Sequence, residues 1–364
     1  MNNTQVLSRL TVACIAVIFT MAFAKDCIAQ SPSQLYLLAL SKNDHTLAIV
    51  DPTDQHVIAK VPVGPDPHEV IASTDGKLAF VSNYAGGSLH ELDIIDLVAK
   101  KALPPFDTKP LIGLHGLDFS GGKVWFTAEG SKAIGSYDPG TGQMDWSMGT
   151  GQDRTHMIYV TPGAKKIFTT NVSSGTVSIL VDSLMAPPAP PGGQSTGQPG
   201  VPQGGQQPFP GFRPRHDWVQ VLIPVSKGSE GFDVSPNGRE LWTAAANDGT
   251  ITIIDLVHQK ALETVDAKAL GANRLKFTPD GRRALVTSLN SGNLFIFDVA
   301  SRKLIKTIKT GRGAAGILVS PDGNKAYIGC TADNYVAVID LKTLTVLDHI
   351  DVGGGPDGLA WASR

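Results

Sequence analysis

Three histidines occupy matching places in this chain. His68 lies in GPDPHEV, His115 in IGLHGLDF and His156 in DRTHMIYV, each directly ahead of an apolar run, and they are spaced by 47 and 41 residues. The same kind of opening recurs at Glu230, Asn273, Ala315 and Asp357. Neutral imidazole nitrogen is the common protein ligand for zinc, copper and iron, and a carboxylate completes a three-plus-one set. Brought together, His68, His115, His156 and Glu230 could hold a divalent transition metal (zinc, copper or iron) that polarises a substrate or activates water. The same side chains could also act without metal, a histidine serving as base with Glu230 or Glu129 as partner. Arg154, two residues before His156, could hold an anion. A third reading needs no chemistry, because polar groups lining a wet tunnel are satisfied by loop carbonyls and water.

The elements that would gather these residues are written as a repeat. After 47 and 41, the spacings of the openings are 74, 43, 42 and 42, and the long one contains an insertion. Each opening leads into a short strand and a turn such as STDGK, SPNGR, TPDGR or SPDGN. In such turns glycine supplies the positive φ that other residues resist. A second strand follows (LAFVSN, KIFTTN, RALVTS), then a third (TLAIVD, TITIID, NLFIFD), both rich in β-branched and aromatic residues. An outer strand such as KLIKTIKTG alternates apolar with charged residues, as a half-exposed edge does. Four short strands per repeat make a propeller blade.

The mature chain begins with second, third and fourth strands, LYLLALS, TLAIVD and HVIAKVPVG, and ends with a lone first strand, DGLAWASR. Joined, they complete a seventh blade and leave no open sheet edge. The expected fold is therefore all-β, a seven-bladed β-propeller over residues 35–364. First strands line the axis, so the seven opening residues should form one ring at its mouth. Glu129 is expected at the second-strand position of Asn83 and Asn171, near the same mouth. Helical patterns of the kind that separate strands in α/β folds are absent.

Units such as AFVSN with SPDG-like turns, IFTTN and AYIGCTADNYVAVIDLKTLTVLDHIDVGGGPDGLA resemble the YVTN-repeat seven-bladed propellers of secreted and cell-surface proteins. The resemblance covers residues 35–364 apart from the insertion. It implies a fold shared with lactonase-type propellers and with the haem-carrying propellers of nitrite reductases. It implies little about activity, because this fold hosts many functions.

Residues 1–29 read as a secretory signal peptide. Arg9 precedes the apolar stretch Leu10 to Ala24, which is too short to span a bilayer, and small residues suit cleavage after Ala24 or Ala29. Export to the periplasm, the cell surface or the medium is expected, with no transmembrane segment. The whole chain carries 31 basic and 33 acidic residues. Removal of Arg9, Lys25 and Asp26 with the signal leaves 29 against 32, so no nucleic-acid partner is expected. Cys14 and Cys27 fall in or beside the signal, so Cys330 is the one thiol left and disulfides do not hold the fold. The stretch 185–217, with nine prolines and seven glycines, reads as a disordered, polyproline-like insertion in one blade, on the face opposite the histidines.

Other signals are bland. Asp51, Asp138, Asp255, Asp298 and Asp340 end third strands and cap turns. Trp125 and Trp242 lie in second strands and read as core. Glycines in SNYAGGS and ANDGT mark hairpin turns, since no helix follows to make a phosphate cradle. No CxxCH binds haem covalently, no other cofactor motif occurs, and no nucleophile elbow is present. Cys330 is either a thiol near the axis or an inert buried one. The sequence thus reads as a monomeric, exported binding or scaffold protein that takes a small molecule or an envelope protein at its mouth. The alternative is a metal-dependent lyase, lactone hydrolase or oxidoreductase using the same ring, with Glu230, Glu129 and Arg154 as candidate catalytic residues.

Overall fold

The repeated turns set the pattern. Gly76, Gly238, Gly281 and Gly323 all take φ between 64° and 72°, and the Asp or Asn one residue before each glycine accepts the backbone N–H that follows it. Each turn therefore closes the hairpin between first and second strands locally. In the computed structural model, which describes residues 34–185 and 215–364, these hairpins grow into seven four-stranded antiparallel sheets and no α-helix among the described residues. None of the helical turns is long and apolar enough to cross a membrane.

Blade 1 joins the two ends of the described chain, pairing Pro356–Ser363 with Leu35–Ser41, followed by Thr46–Val50 and Val57–Pro62. Gln34 and Arg364 exchange backbone hydrogen bonds of 2.7 and 2.9 Å at the seam. Blade 2 runs from Pro67–Ala72 to Lys101–Asp107 and blade 3 from Leu114–Ser120 to Gln143–Gly149. Blade 4 runs from Thr155–Val160 to Arg215–Pro224 and blade 5 from Ser229–Val234 to Lys260–Asp266. Blade 6 spans Ala272–Phe277 to Lys303–Lys309 and blade 7 Ala314–Val319 to Thr345–Ile350. Blade 4 carries the insertion. Its outer hairpin is longer than the sequence pattern drew it, with Met185 paired to Arg215 and Asp217 to Ser183. Residues 186–214, the rest of the predicted disordered stretch, and the signal segment 1–29 lie outside the described residues.

Second and third strands are buried almost throughout and form the core between blades. At one register position of the second strand stand Phe80, Trp125, Phe168, Trp242 and Tyr327, each 5% exposed or less. Twisted sheets that radiate from an axis diverge outward, and bulky rings fill the widening wedge.

All seven first strands break register at the ring position, at His68, His115, His156, Glu230, Asn273, Ala315 and Asp357. A bulge leaves one residue out of the ladder and re-aims its side chain. Crowding at the axis is tight enough to require glycine beside some bulges. A Cβ on Gly316 would sit 1.9 Å from the Asp357 carbonyl oxygen of the next blade, and one on Gly358 2.4 Å from that of His68.

Candidate functional site

The bulges aim the seven opening residues at one cavity of about 220 Å³ at the axial mouth, where Lys42, Tyr84, Arg154 and Arg274 join them. A set of hydroxyls fixes the backbone of the ring. Ser82 donates to the His115 carbonyl at 2.6 Å, Thr127 to His156 at 2.6 Å, Thr170 to Glu230 at 2.7 Å and Thr287 to Ala315 at 2.7 Å. Each hydroxyl thus ties the next blade's ring residue to its own second strand. A signal for these positions is present in the sequence, where Ser or Thr stands next to last in LAFVSN, KVWFTA, KIFTTN and RALVTS.

On one side of the mouth, His68 is fully engaged. The Lys42 ammonium, which can only donate, lies 2.8 Å from Nε2, so Nδ1–H donates to the Asp66 carbonyl at 3.0 Å. Lys42 also reaches Asp357 Oδ2 at 3.2 Å and Asp66 Oδ1 at 3.4 Å. Burial works against the charge of Asp357, but Lys42, Arg274 and His68 outweigh it and hold the carboxyl below its ordinary range.

On the other side, Glu129 Oε1 takes the hydrogen bond of His156 Nδ1, and Tyr84 O–H donates to Glu129 Oε2. Burial again opposes ionisation of Glu129, and the bonds from His156 and Tyr84 with the charge of Arg154 overcome it, so its carboxyl is held low. Burial and Glu129 together push the Tyr84 hydroxyl upward. Arg154 places Nη2 3.3 Å from Glu230 Oε1 and Nε 3.7 Å from Glu129 Oε2, and Asn273 donates to Glu230 Oε2 at 2.7 Å. Glu129 itself sits one residue beyond the strand Lys123–Ala128, in the turn Glu129–Ser131. Ala128, not Glu129, holds the position of Asn83 and Asn171, because it pairs with Leu114 as they pair with Pro67 and Thr155. The extra step turns the carboxylate over the mouth beside Tyr84.

His115 lies between the two sides, its ring centroid 4.9 Å from that of His68 and 3.7 Å from that of His156. It is 2% exposed, and burial first, then the neighbouring His156, His68, Arg274 and Lys42, hold its imidazole well below the usual histidine range. His115 is therefore neutral at pH 7. Below the ring, Arg274 pairs with Glu69. Desolvation alone would lower the guanidinium, but Glu69, Asp357 and Glu230 outweigh it and keep the charge in place.

The structure thus gathers every ring residue that the sequence singled out at one mouth. The His115 and His156 rings lie close, with centroids 3.7 Å apart and planes inclined by 31°. Both nitrogens of His68 and Nδ1 of His156 already have partners. Among the described residues no three His, Cys, Asp or Glu side chains are grouped to hold a metal ion. Cys330 is fully buried, and burial pushes its thiol up to about 11, so it is inert.

Two ring atoms stand out by what they lack. His115 Nδ1 and His156 Nε2 are buried with no hydrogen-bond partner among the described residues. Because Glu129 can only accept, Nδ1 of His156 carries the hydrogen, and in the neutral ring Nε2 has the free lone pair. A carboxylate-oriented imidazole with its far nitrogen unpartnered at a cavity is a general-base arrangement.

No family model and no curated protein matches the sequence. Solved structures do match in shape. A candidate 6-phosphogluconolactonase from Bacteroides uniformis superposes with a TM-score of 0.67 at 17% identity, covering 91% of this chain and 100% of that one. A functionally unknown protein from Desulfotomaculum acetoxidans gives 0.66 at 12% identity over 91% and 99% of the two chains. The hydrazine synthase of Kuenenia stuttgartiensis gives 0.58 at 16% identity over 82% and 90%. At these identities the likeness carries the fold, and this chain is a seven-bladed β-propeller.

Proposed function

We propose that this chain is an exported, YVTN-type propeller that binds a small, uncharged, hydroxyl-rich molecule at its axial mouth. The observation that carries this reading is the pair of buried, partnerless ring nitrogens, His115 Nδ1 and His156 Nε2, at a cavity of about 220 Å³. Buried polar atoms ordinarily have partners, and hydroxyl groups of a ligand can supply them. The charge balance selects the ligand class. Lys42, Arg154 and Arg274 are each already paired with carboxylates, so no free cation waits for an anionic ligand. Titration calorimetry of the secreted form against neutral aldoses, polyols and their lactones tests this. Binding of one member should weaken roughly tenfold in His156→Gln, the worth of one hydrogen bond to a buried group. Failure of every member to bind, or binding unchanged in that variant, would overturn the reading.

A second reading, hydrolysis of a neutral lactone, is favoured by the Glu129–His156 dyad and by the naming of one structural neighbour as a candidate lactonase. Nε2 would take a proton from water as the oxygen attacks the lactone carbonyl. The ring C–O bond then breaks, and the proton passes to the departing alkoxide, leaving a hydroxy acid. Lactone opening that is lost in both His156→Gln and Glu129→Gln supports it. Binding without turnover leaves the first reading alone.

A further inference from the structure

On the face opposite the mouth, blades 3 and 4 frame a cleft of about 440 Å³ that the proposed function does not use. Three indoles line it. Trp146, on the outer strand of blade 3, lies 5.5 Å from Trp125 and 5.4 Å from Trp218 between ring centroids, with planes inclined by 58° and 53°. Trp125 donates its N–H to the Ser120 carbonyl at 3.1 Å, whereas no acceptor among the described residues takes the N–H of Trp146 or Trp218. Polar groups complete the lining. Lys123 pairs with Asp145, and Ser136 donates to the other Asp145 oxygen at 2.6 Å.

The propeller repeat supplies an internal control. In the corresponding cleft between blades 5 and 6, Glu263 holds the register of Trp146, facing Ile253 as Trp146 faces Ser136. Arg302 holds the register of Trp218, one residue ahead of the partner of Asp298 as Trp218 is one ahead of the partner of Val181. Glu263 and Arg302 form an ion pair across those blades. The fold can therefore join neighbouring blades at this place with charges, and it does not require aromatic rings there.

We propose that the cleft between blades 3 and 4 binds a saccharide. A pyranose ring offers weakly polar C–H faces and hydroxyl edges. The C–H groups suit the electron-rich faces of the indoles, and the hydroxyls suit Asp145, Lys123 and the N–H groups of Trp146 and Trp218, which have no acceptor among the described residues. An open cleft with aromatic walls and a few convergent polar groups has the composition of a small-ligand site.

The test titrates the mature full-length chain with cellohexaose and with chitohexaose, following tryptophan fluorescence and heat. The informative variant is the double substitution W146E/W218R, which installs the ion pair of the blade 5–6 cleft. Wild type should bind one of the oligosaccharides with a change in indole emission, and the double variant should bind roughly tenfold more weakly or not at all. Its melting temperature and circular dichroism show that it folds. If it does not fold, W218L keeps an apolar side chain in the cleft while removing the stacking face and the N–H, and the same loss is expected. Absence of binding to both sugars by wild type would overturn the proposal. So would undiminished binding by the folded variants, or preferential binding of a decaproline peptide.

Discussion

The mouth of the axial channel and the compartment beneath it are lined by the same first strands, three residues apart, yet they handle polar groups in opposite ways. At the mouth stand His115, Glu230 and Asn273, and below them Asp118, Asp233 and Lys276. In the lower compartment Asp118 and Asp233 each give an oxygen to the backbone of the next blade. Asp118 Oδ2 accepts from Val160 N–H of the next blade at 2.6 Å, and Asp233 Oδ2 from Phe277 N–H of the next blade at 2.9 Å. Two blade junctions are stitched this way. At the mouth, His115 and His156 are 2% and 3% exposed and each keeps an imidazole nitrogen without a partner among the described residues, whereas the side chains of Asp233 and Lys276 below are 14% and 42% exposed. Buried polar atoms without partners also occur on Thr46, Asn83 and His90, so what marks the mouth is that two such atoms belong to residues lining one cavity. Arg274 and Glu69 stand at the boundary, lining both cavities or bridging between them.

The largest effect should come from breaking that boundary. Arg274→Ala would strand the carboxylate of Glu69, whose side chain is 13% exposed, and loss of one partner of a buried pair costs about 3–5 kcal/mol. Calorimetric melting should show a large fall for this variant and recovery of most of it in Arg274→Met with Glu69→Leu. The second test concerns Thr127, which accepts from Gly116 N–H at 2.8 Å and donates to the His156 carbonyl at 2.6 Å. Thr127→Val would leave both backbone groups buried and unpaired, a loss of about 2 kcal/mol or more in denaturant unfolding. Ligand binding should weaken with it, since His156 loses its anchor.

A smaller, pH-dependent effect separates the lower compartment from the mouth. Burial raises the Asp118 carboxyl to about 6 from an ordinary value of 3.8, against the pull of the Val160 and Phe119 N–H groups. A raised acid binds protons more readily in the folded than in the unfolded chain, so its contribution to stability falls as pH rises from about 4 to about 6 and is then constant. Asp118→Asn should remove that slope. Relative to wild type the variant should gain up to about 2 kcal/mol across this window, read from unfolding curves at successive pH values. Ligand binding at the mouth should not change with it. A variant that instead alters binding would show that the two compartments act as one.

The blade count, the closure of the ring and the membership of its mouth were legible in the chain, because each depends on short-range signals repeated at a regular interval. A Gly in the turn, a strand-length apolar run and a polar residue ahead of it recur seven times or nearly so. Glu129 was misplaced by one residue, since the strand ends at Ala128 and a tight turn follows, an end effect that composition does not mark. Lys42 and Tyr84 escaped notice because they reach the mouth from loops. Lys42 meets Asp357 across 315 positions. Trp146 and Trp218 form a pair only because blades 3 and 4 abut.

What the sequence determined by itself was which residues share the ring, since pseudosymmetry places equivalent positions of each repeat at equal distances from one axis. What those residues do with one another was decided only in the tertiary structure. Spacing says nothing about ring orientation, and the same three histidines at the same three positions could point at one ion or, as here, meet edge-to-face (His68 and His115) and tilted (His115 and His156). The observed arrangement follows from partners that spacing does not show: Lys42 and the nearby Asp66 carbonyl engage both nitrogens of His68, and Glu129 engages Nδ1 of His156. The Lys42–His68 and Glu129–His156 contacts join residues 26 and 27 positions apart, and only folding brings those partners within reach.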